Sequence, residues 1–314
     1  MTTPNTFSAW PELRVDDWTD TRNTLHMWTQ IIGKIRMQHA PLINHWWQVT
    51  LYVTPVGLTT SSIPFQGDVF DIEFDFVNHE IRFRRSNGLH ADFALEEMTV
   101  ADFYAKVQDA MAKIEVPMDI SVTPNEVDPA IPFPEDTVHK TYDKDAVRRF
   151  WLQLSKAHIA MDAFRAGFLG KVSPVHFFWG SFDMACTRFV DKPAPRHPGG
   201  APNCADWVMV EGYSHHLTSA GFWPGGEGEG LFYSYAYPTP DGYARQKIEP
   251  AEAYYSEELY EYVLPYEAVR KSDNPEEMVR QFLESTYALA ADLDGWDREN
   301  LDTDPDRLAA YMNQ

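Results

Sequence analysis

Phe70-Asp71-Ile72-Glu73-Phe74-Asp75-Phe76 alternates strictly between apolar and acidic residues. Successive side chains of a strand point to opposite faces. The stretch therefore predicts a strand with Phe70, Ile72, Phe74 and Phe76 in a core and Asp71, Glu73 and Asp75 on a wet face, as in an antiparallel sheet. Working outward, β-branched and aromatic runs predict strands over 46–54, 57–63, 80–85 and 90–95, with Asn87-Gly88 as a tight turn. Ahead of them, Leu25, Trp28, Ile32 and Ile35 recur at helical spacing and predict a helix over 20–36. Behind them, Thr99 caps a helix whose buried stripe is Val100, Phe103, Val107, Met111 and Ile114.

A second series follows. Val147, Phe150, Trp151, Leu154, Met161, Phe164 and Phe168 predict a helix over 144–168. Strands are expected over 175–185, 207–213, 216–222, 231–237, 243–248 and 262–264. Asn274-Pro275-Glu276-Glu277 then opens a helix with a cap, a first-turn proline and two acidic residues. Its apolar side is Val279, Phe282, Leu283, Leu289 and Leu293. The expected organisation is a first half over 1–116, a Pro-rich linker or strap over 117–139, a second half over 140–295 with a long loop at 187–206, and a tail over 296–314. The expected fold class is α+β, with mainly antiparallel sheets and helices packed on one side. Three short matches recur in the same order in the two halves: His45-Trp46-Trp47 with His176-Phe177-Phe178-Trp179, Leu58–Pro64 with Leu217–Pro224, and Phe70–Phe76 with Leu231–Tyr237. They suggest an internal duplication of a helix–strands–helix unit.

The chain has 314 residues, 44% of them hydrophobic and 23% charged, which is the composition of a globular protein. Its net charge of −21 repels phosphate backbones and anionic membrane surfaces, so neither nucleic acid nor a membrane is an expected partner. Cys186 and Cys204 are the only cysteines, read as free thiols in a reducing compartment. Met1-Thr2-Thr3-Pro4-Asn5 lacks a basic start and an apolar run, so the chain reads as cytoplasmic, a monomer or a homodimer.

Several of these segments together resemble the signature of an uncharacterised bacterial family known only as a domain of unknown function. They are Asn44-His45-Trp46-Trp47, Ser173-Pro174-Val175-His176-Phe177-Phe178-Trp179-Gly180-Ser181-Phe182-Asp183, Tyr213-Ser214-His215, Ser219-Ala220-Gly221-Phe222-Trp223-Pro224-Gly225 and Tyr233–Pro238. The resemblance covers nearly the whole chain. It implies no activity and carries no catalytic residue across.

No nucleotide, zinc-protease, nucleophile-elbow or calcium-loop motif is present, and no ligand spacing suggests a metal or names a cofactor. The loop 187–206 stands out instead. It is rich in Pro and Gly and carries Arg188, Lys192, Arg196 and His197 in an acidic chain, which suits an anion. It joins a strand bearing His176, Trp179 and Asp183 to one on which Glu211, Tyr213 and His215 share a face. Gly180 lets a neighbouring segment or a ligand approach closely. The expected function is therefore a small-molecule pocket in the second half, under the loop 187–206, suited to an anion, in a sensor or an enzyme. Its walls would be Trp179, Tyr213, Trp223 and Tyr235, and its polar groups His176, Asp183, Arg188, Glu211 and His215. The alternative is a non-catalytic scaffold with an acidic surface.

Overall fold

The alternation at 70–76 becomes the central strand of the first of two sheets in a computed structural model that describes residues 10–304. In chain order the elements are α1 (Val15–His39), β1 (Tyr52–Val53), β2 (Gly57–Thr59), β3 (Ile63–Phe65), β4 (Asp68–Asp75), β5 (Glu80–Arg85), β6 (His90–Ala94), α2 (Val100–Lys113) and α3 (Lys144–Ala166). Then come β7 (Lys171–Val172), β8 (His176–Phe178), β9 (Asp183–Pro193), α4 (Asp206–Gly212), β10 (His215–Trp223) and β11 (Leu231–Tyr237). β12 (Tyr254–Ser256), β13 (Glu261–Pro265), α5 (Tyr266–Lys271), α6 (Pro275–Leu293) and α7 (Arg298–Leu301) complete the described chain. The fold is α+β with two antiparallel sheets, as the patterning predicts.

The chain forms two compact units that alternate along the sequence. The first takes the described residues up to Ser155 and adds His176–Asp183 and Pro198–Gly212. The second takes Lys156–Val175, Met184–His197 and the described residues from Tyr213 onward. The strap at 117–139 therefore lies inside the first unit.

In the first unit the sheet order is β1-β2-β4-β5-β6, with β3 also paired to β4. Phe70, Ile72 and Phe74 are at most 1% exposed. The opposite face is less wet than the alternation predicts. Asp71 and Glu73 stand across from Arg84 and Arg82, opposite charges of the kind that stabilise facing strands. Asp75 is fully buried: it accepts from the backbone of Val77 and Asn78 and pairs with Arg82 at 2.7 Å. A turn that needs those acceptors overrides the solvent preference of the carboxylate. α1 runs a turn longer at each end than expected, and Trp28 on its apolar face stacks on Phe103 of α2 at 4.6 Å. α2 has the predicted cap, with Thr99 Oγ1 accepting from the Asp102 N–H at 3.0 Å.

Three expected strands are something else. The stretch at 46–54 opens as a tight helical turn, Asn44–Trp46, in which His45 and Trp46 have φ of 58° and 62°. Only Tyr52–Val53 is strand. The stretch at 207–213 is the helix α4. A short apolar run does not distinguish helix from strand by itself, and here tertiary bonds decide: Trp46 Nε1 donates to Val208 O, and the His45 N–H donates to Glu211 Oε1. The stretch at 243–248 holds a helical turn, Tyr243–Arg245, whose Tyr243 carbonyl accepts from Tyr262 Oη.

In the second unit the sheet order is β12-β13-β11-β10-β9-β7. In the first sheet the order rises along the chain with β3 off the path beside β4, whereas here β13 pairs with β11 and β12 lies outside it. The strand orders differ, so an internal duplication is not supported. β9 extends to Pro193, which shortens the expected loop at 187–206 to 194–205 and places Arg188 and Lys192 on a strand. α6 has its Asn274 cap, and its buried stripe is Val279, Phe282, Leu283, Thr286, Tyr287, Ala290 and Ala291, while Leu293 is exposed. No described helix is long and apolar enough to cross a membrane. Cys186 and Cys204 are free thiols. Of the expected tail, 298–301 is helical and 305–314 lies outside the described residues, as does the stretch at 1–5 read for a leader.

Candidate functional site

The residues singled out by sequence fall into both units. His176, Trp179, Asp183 and Glu211 belong to the first, and Arg188, Tyr213, His215, Trp223 and Tyr235 to the second. The chain does not run straight from His176 to Asp183. It leaves β8 at Phe178 and turns through Phe182, whose φ is 60°, so the predicted face-by-face alternation of 176–183 does not form. His176 is buried and its Nδ1 lies 3.2 Å from Thr50 Oγ1. Glu211 lies in the last turn of α4 rather than sharing a strand with Tyr213 and His215.

In the second unit, Arg188 is fully buried and stacks 3.5 Å from the Phe164 ring centroid and 4.2 Å from that of Tyr287. It faces a core rather than a solvent-filled loop. Tyr213 and Tyr235 do meet, Oη to Oη at 2.8 Å. His197 packs on Tyr213 with ring centroids 4.6 Å apart. His215 Nδ1 lies 3.0 Å from Ser214 Oγ. Trp223 packs beside Gly225, Gly226 and Gly230. Tyr213, Tyr235 and His197 thus form one aromatic cluster.

The first unit brings a different set together, and its base is a row on α1 that the sequence reading passed over. Arg22, His26, Gln30 and Lys34 are spaced by four and share one helix face. On a helix whose apolar stripe is already assigned, such a row reads as the solvent side. Two of its members are instead buried, Gln30 at 0% and Lys34 at 2% exposure. The strap lies on them. Gln30 accepts from the Asn125 N–H at 2.8 Å and donates to the Asn125 carbonyl at 2.7 Å. Lys34 Nζ donates a short hydrogen bond to Asn125 Oδ1. His26 Nε2 lies 2.8 Å from the Gly180 carbonyl. Burial holds the His26 imidazole down at about 4, against the pull of the Gly180 and Trp179 backbone, so it is neutral at physiological pH.

The turn after β8 closes the other side. Trp179 is buried, its Nε1 donates to the Val49 carbonyl at 2.7 Å, and its ring covers Gly33 so closely that a Cβ there would sit 2.1 Å from the indole. Gly180 is approached by Glu126, whose Oε1 lies 2.1 Å from where a Gly180 Cβ would be. The close neighbour that the glycine admits is thus a carboxylate of the strap. Glu126 is exposed over part of its surface, yet burial of its carboxyl group and the charge of Asp183 push it up to about 7. Asp183 accepts a short hydrogen bond from Ser181 Oγ.

Loop residues stitch the strap from above. Pro202 O accepts from the Glu126 N–H at 2.7 Å, Asn203 O accepts from Asn125 Nδ2 at 2.7 Å, and Asn203 Nδ2 donates to Val127 O at 2.8 Å. Glu126 and Asn203 adopt φ of 59° and 52°. Strained backbone of this kind gathers at functional sites. Cys204, half-buried beside them, is pushed up by burial and by the Glu126 charge, so it remains a thiol at neutral pH.

Lys34 is the group in this set that the fold leaves incompletely served. Its ammonium has three donors. Asn125 Oδ1 is the one acceptor that the described residues offer it, and no described carboxylate lies within 4 Å. Phe133 and Trp179 present ring faces 6.0 and 5.9 Å from Nζ. Burial lowers Lys34 to about 8, and the nearby Cys204 offsets this only in part. The arrangement can hold an anionic group, or supply an amine that is partly free base near neutral pH.

The described residues hold no group of three or more His, Cys, Asp or Glu suited to a metal ion. No curated protein and no solved structure matches the chain. One family model does, over residues 10–303, which is nearly all of the chain. By that match the chain belongs to a family of unknown function, DUF5996.

Proposed function

We propose that the protein binds a small anionic molecule in its first unit, with Lys34 as the counter-charge and Trp179 and Phe133 as apolar walls. The observation that carries this reading is the buried ammonium of Lys34 with no described carboxylate within 4 Å of it. Burying a charge without a partner is costly, and folds that tolerate it generally use it. The strap at 125–127 and the loop at 202–203, held together by three hydrogen bonds, form a cover whose opening admits the ligand. Trp179 keeps the ligand-binding role that the sequence suggested. Arg188 and the tyrosine cluster do not enter it.

Because the whole chain carries −21, general attraction of anions is weak and a selective response is informative. The test is a thermal-shift panel of phosphate, acetate, oxalate and glyoxylate on the wild type, Lys34→Met and Lys34→Arg. At about 100 times Kd a ligand adds roughly 2.7 kcal/mol, which raises the Tm by several degrees. At least one anion is expected to do this for the wild type and Lys34→Arg, and none for Lys34→Met. A wild type indifferent to every anion, or a Lys34→Met variant that responds equally, refutes the reading.

A further inference from the structure

We infer that the Lys34 amine captures a small oxo acid, an aldehyde or ketone carrying a carboxylate, as a Schiff base. This rests on the anion-binding reading and narrows its ligand class. The geometry supplies the parts of the reaction. Lys34 Nζ faces the ring of Trp179 at 5.9 Å, and Glu126 lies against Gly180, the next residue, so amine and carboxyl flank one turn. Asn125, the residue before Glu126, holds the amine through its side chain. No described carboxylate pairs with Lys34 to keep it protonated.

The step balances without any further reactant. The free Nζ lone pair attacks the carbonyl carbon, and a proton passes from nitrogen to the resulting alkoxide to give a carbinolamine. The Glu126 carboxyl group protonates the departing hydroxyl, water leaves, and the C=N bond forms. A buried, desolvated lysine is a recognised nucleophile for this chemistry. With Lys34 at about 8 against the ordinary 10.5, its free-base fraction at pH 7 is roughly 300 times that of an exposed lysine.

The experiment uses the full-length protein with glyoxylate and cyanoborohydride at pH 7, followed by peptide mass mapping. Exposed Lys106 and Lys113 in the same molecule serve as the reference amines. The expected result is a carboxymethyl group on Lys34 at least tenfold ahead of Lys106 and Lys113. Acetate, which has the charge but no carbonyl carbon able to form an imine, should slow the labelling. Lys34→Arg should keep the anion-dependent Tm rise and lose the preferential adduct, and Glu126→Gln should slow its formation. If the wild type shows the Tm rise but Lys34 labels no faster than the exposed lysines, the Schiff base is refuted and anion binding stands. If neither appears, both fall.

Discussion

Lys34 sets a conflict between stability and use that can be measured directly. The unfolded chain keeps this amine protonated up to its ordinary value of 10.5, whereas the folded chain releases the proton near 8. Between those values the unfolded state binds more protons, so folding stability rises with pH across that window. Below pH 8 both states are charged and the folded one bears the whole cost of burying the ammonium, of order 3 kcal/mol from the shift. Lys34→Met removes that cost and also the hydrogen bond to Asn125, worth about 1 kcal/mol. The variant is therefore expected to be more stable than the wild type at pH 7 by roughly 2 kcal/mol, with the gain fading between pH 8 and 10.5. Chemical denaturation at pH 7 and pH 10 checks it. A variant less stable at pH 7 would show that Lys34 is there for structure.

At the scale of elements, two glycines test how tightly the turn after β8 is set against α1 and the strap. A Cβ at Gly33 meets the buried, hydrogen-bonded indole of Trp179 at 2.1 Å, and a rigid ring cannot yield. Gly33→Ala is expected to cost about 1–3 kcal/mol, as overpacking generally does. A Cβ at Gly180 meets the end of the Glu126 side chain, which can swing away. Gly180→Ala should fold with little loss while Glu126 relaxes from about 7 toward its ordinary 4.5, a change visible in an NMR titration of its carboxyl carbon. Equal destabilisation by the two substitutions would contradict this account.

These elements also show what a sequence can and cannot reveal. β4 and α2 are legible because each buries one face, and one-sided burial writes its period into the chain. α4 was not legible, since Trp207-Val208-Met209-Val210 suits strand and helix alike and bonds from His45 and Trp46 decide between them. The site followed the same logic. Gly180 and Asp183 could be picked out locally. Lys34 could not, because its row on α1 looks like a solvent face until Asn125, 91 residues away, and Trp179 cover it. The spacing of Arg22, His26, Gln30 and Lys34 was the available signal.

For the whole molecule, the decisive feature is that the first unit is assembled from three separated stretches, the last ending at Gly212. The chain is made from its N-terminus, and domains generally fold as units while synthesis proceeds. α1, the first sheet and the strap therefore leave the ribosome well before Trp179 exists to cover Gly33, and before Pro202 and Asn203 exist to hold the strap. A nascent chain released at Ser155 should show no cooperative melt and should bind a hydrophobic dye, whereas release after Gly212 should restore protection of the α1 amides from hydrogen exchange. A sharp thermal transition in the shorter chain would refute this. The face of α1 proposed to bind the ligand is thus among the first parts of the protein to be translated and among the last to be finished, which leaves the Lys34 amine uncovered on a half-made chain throughout elongation.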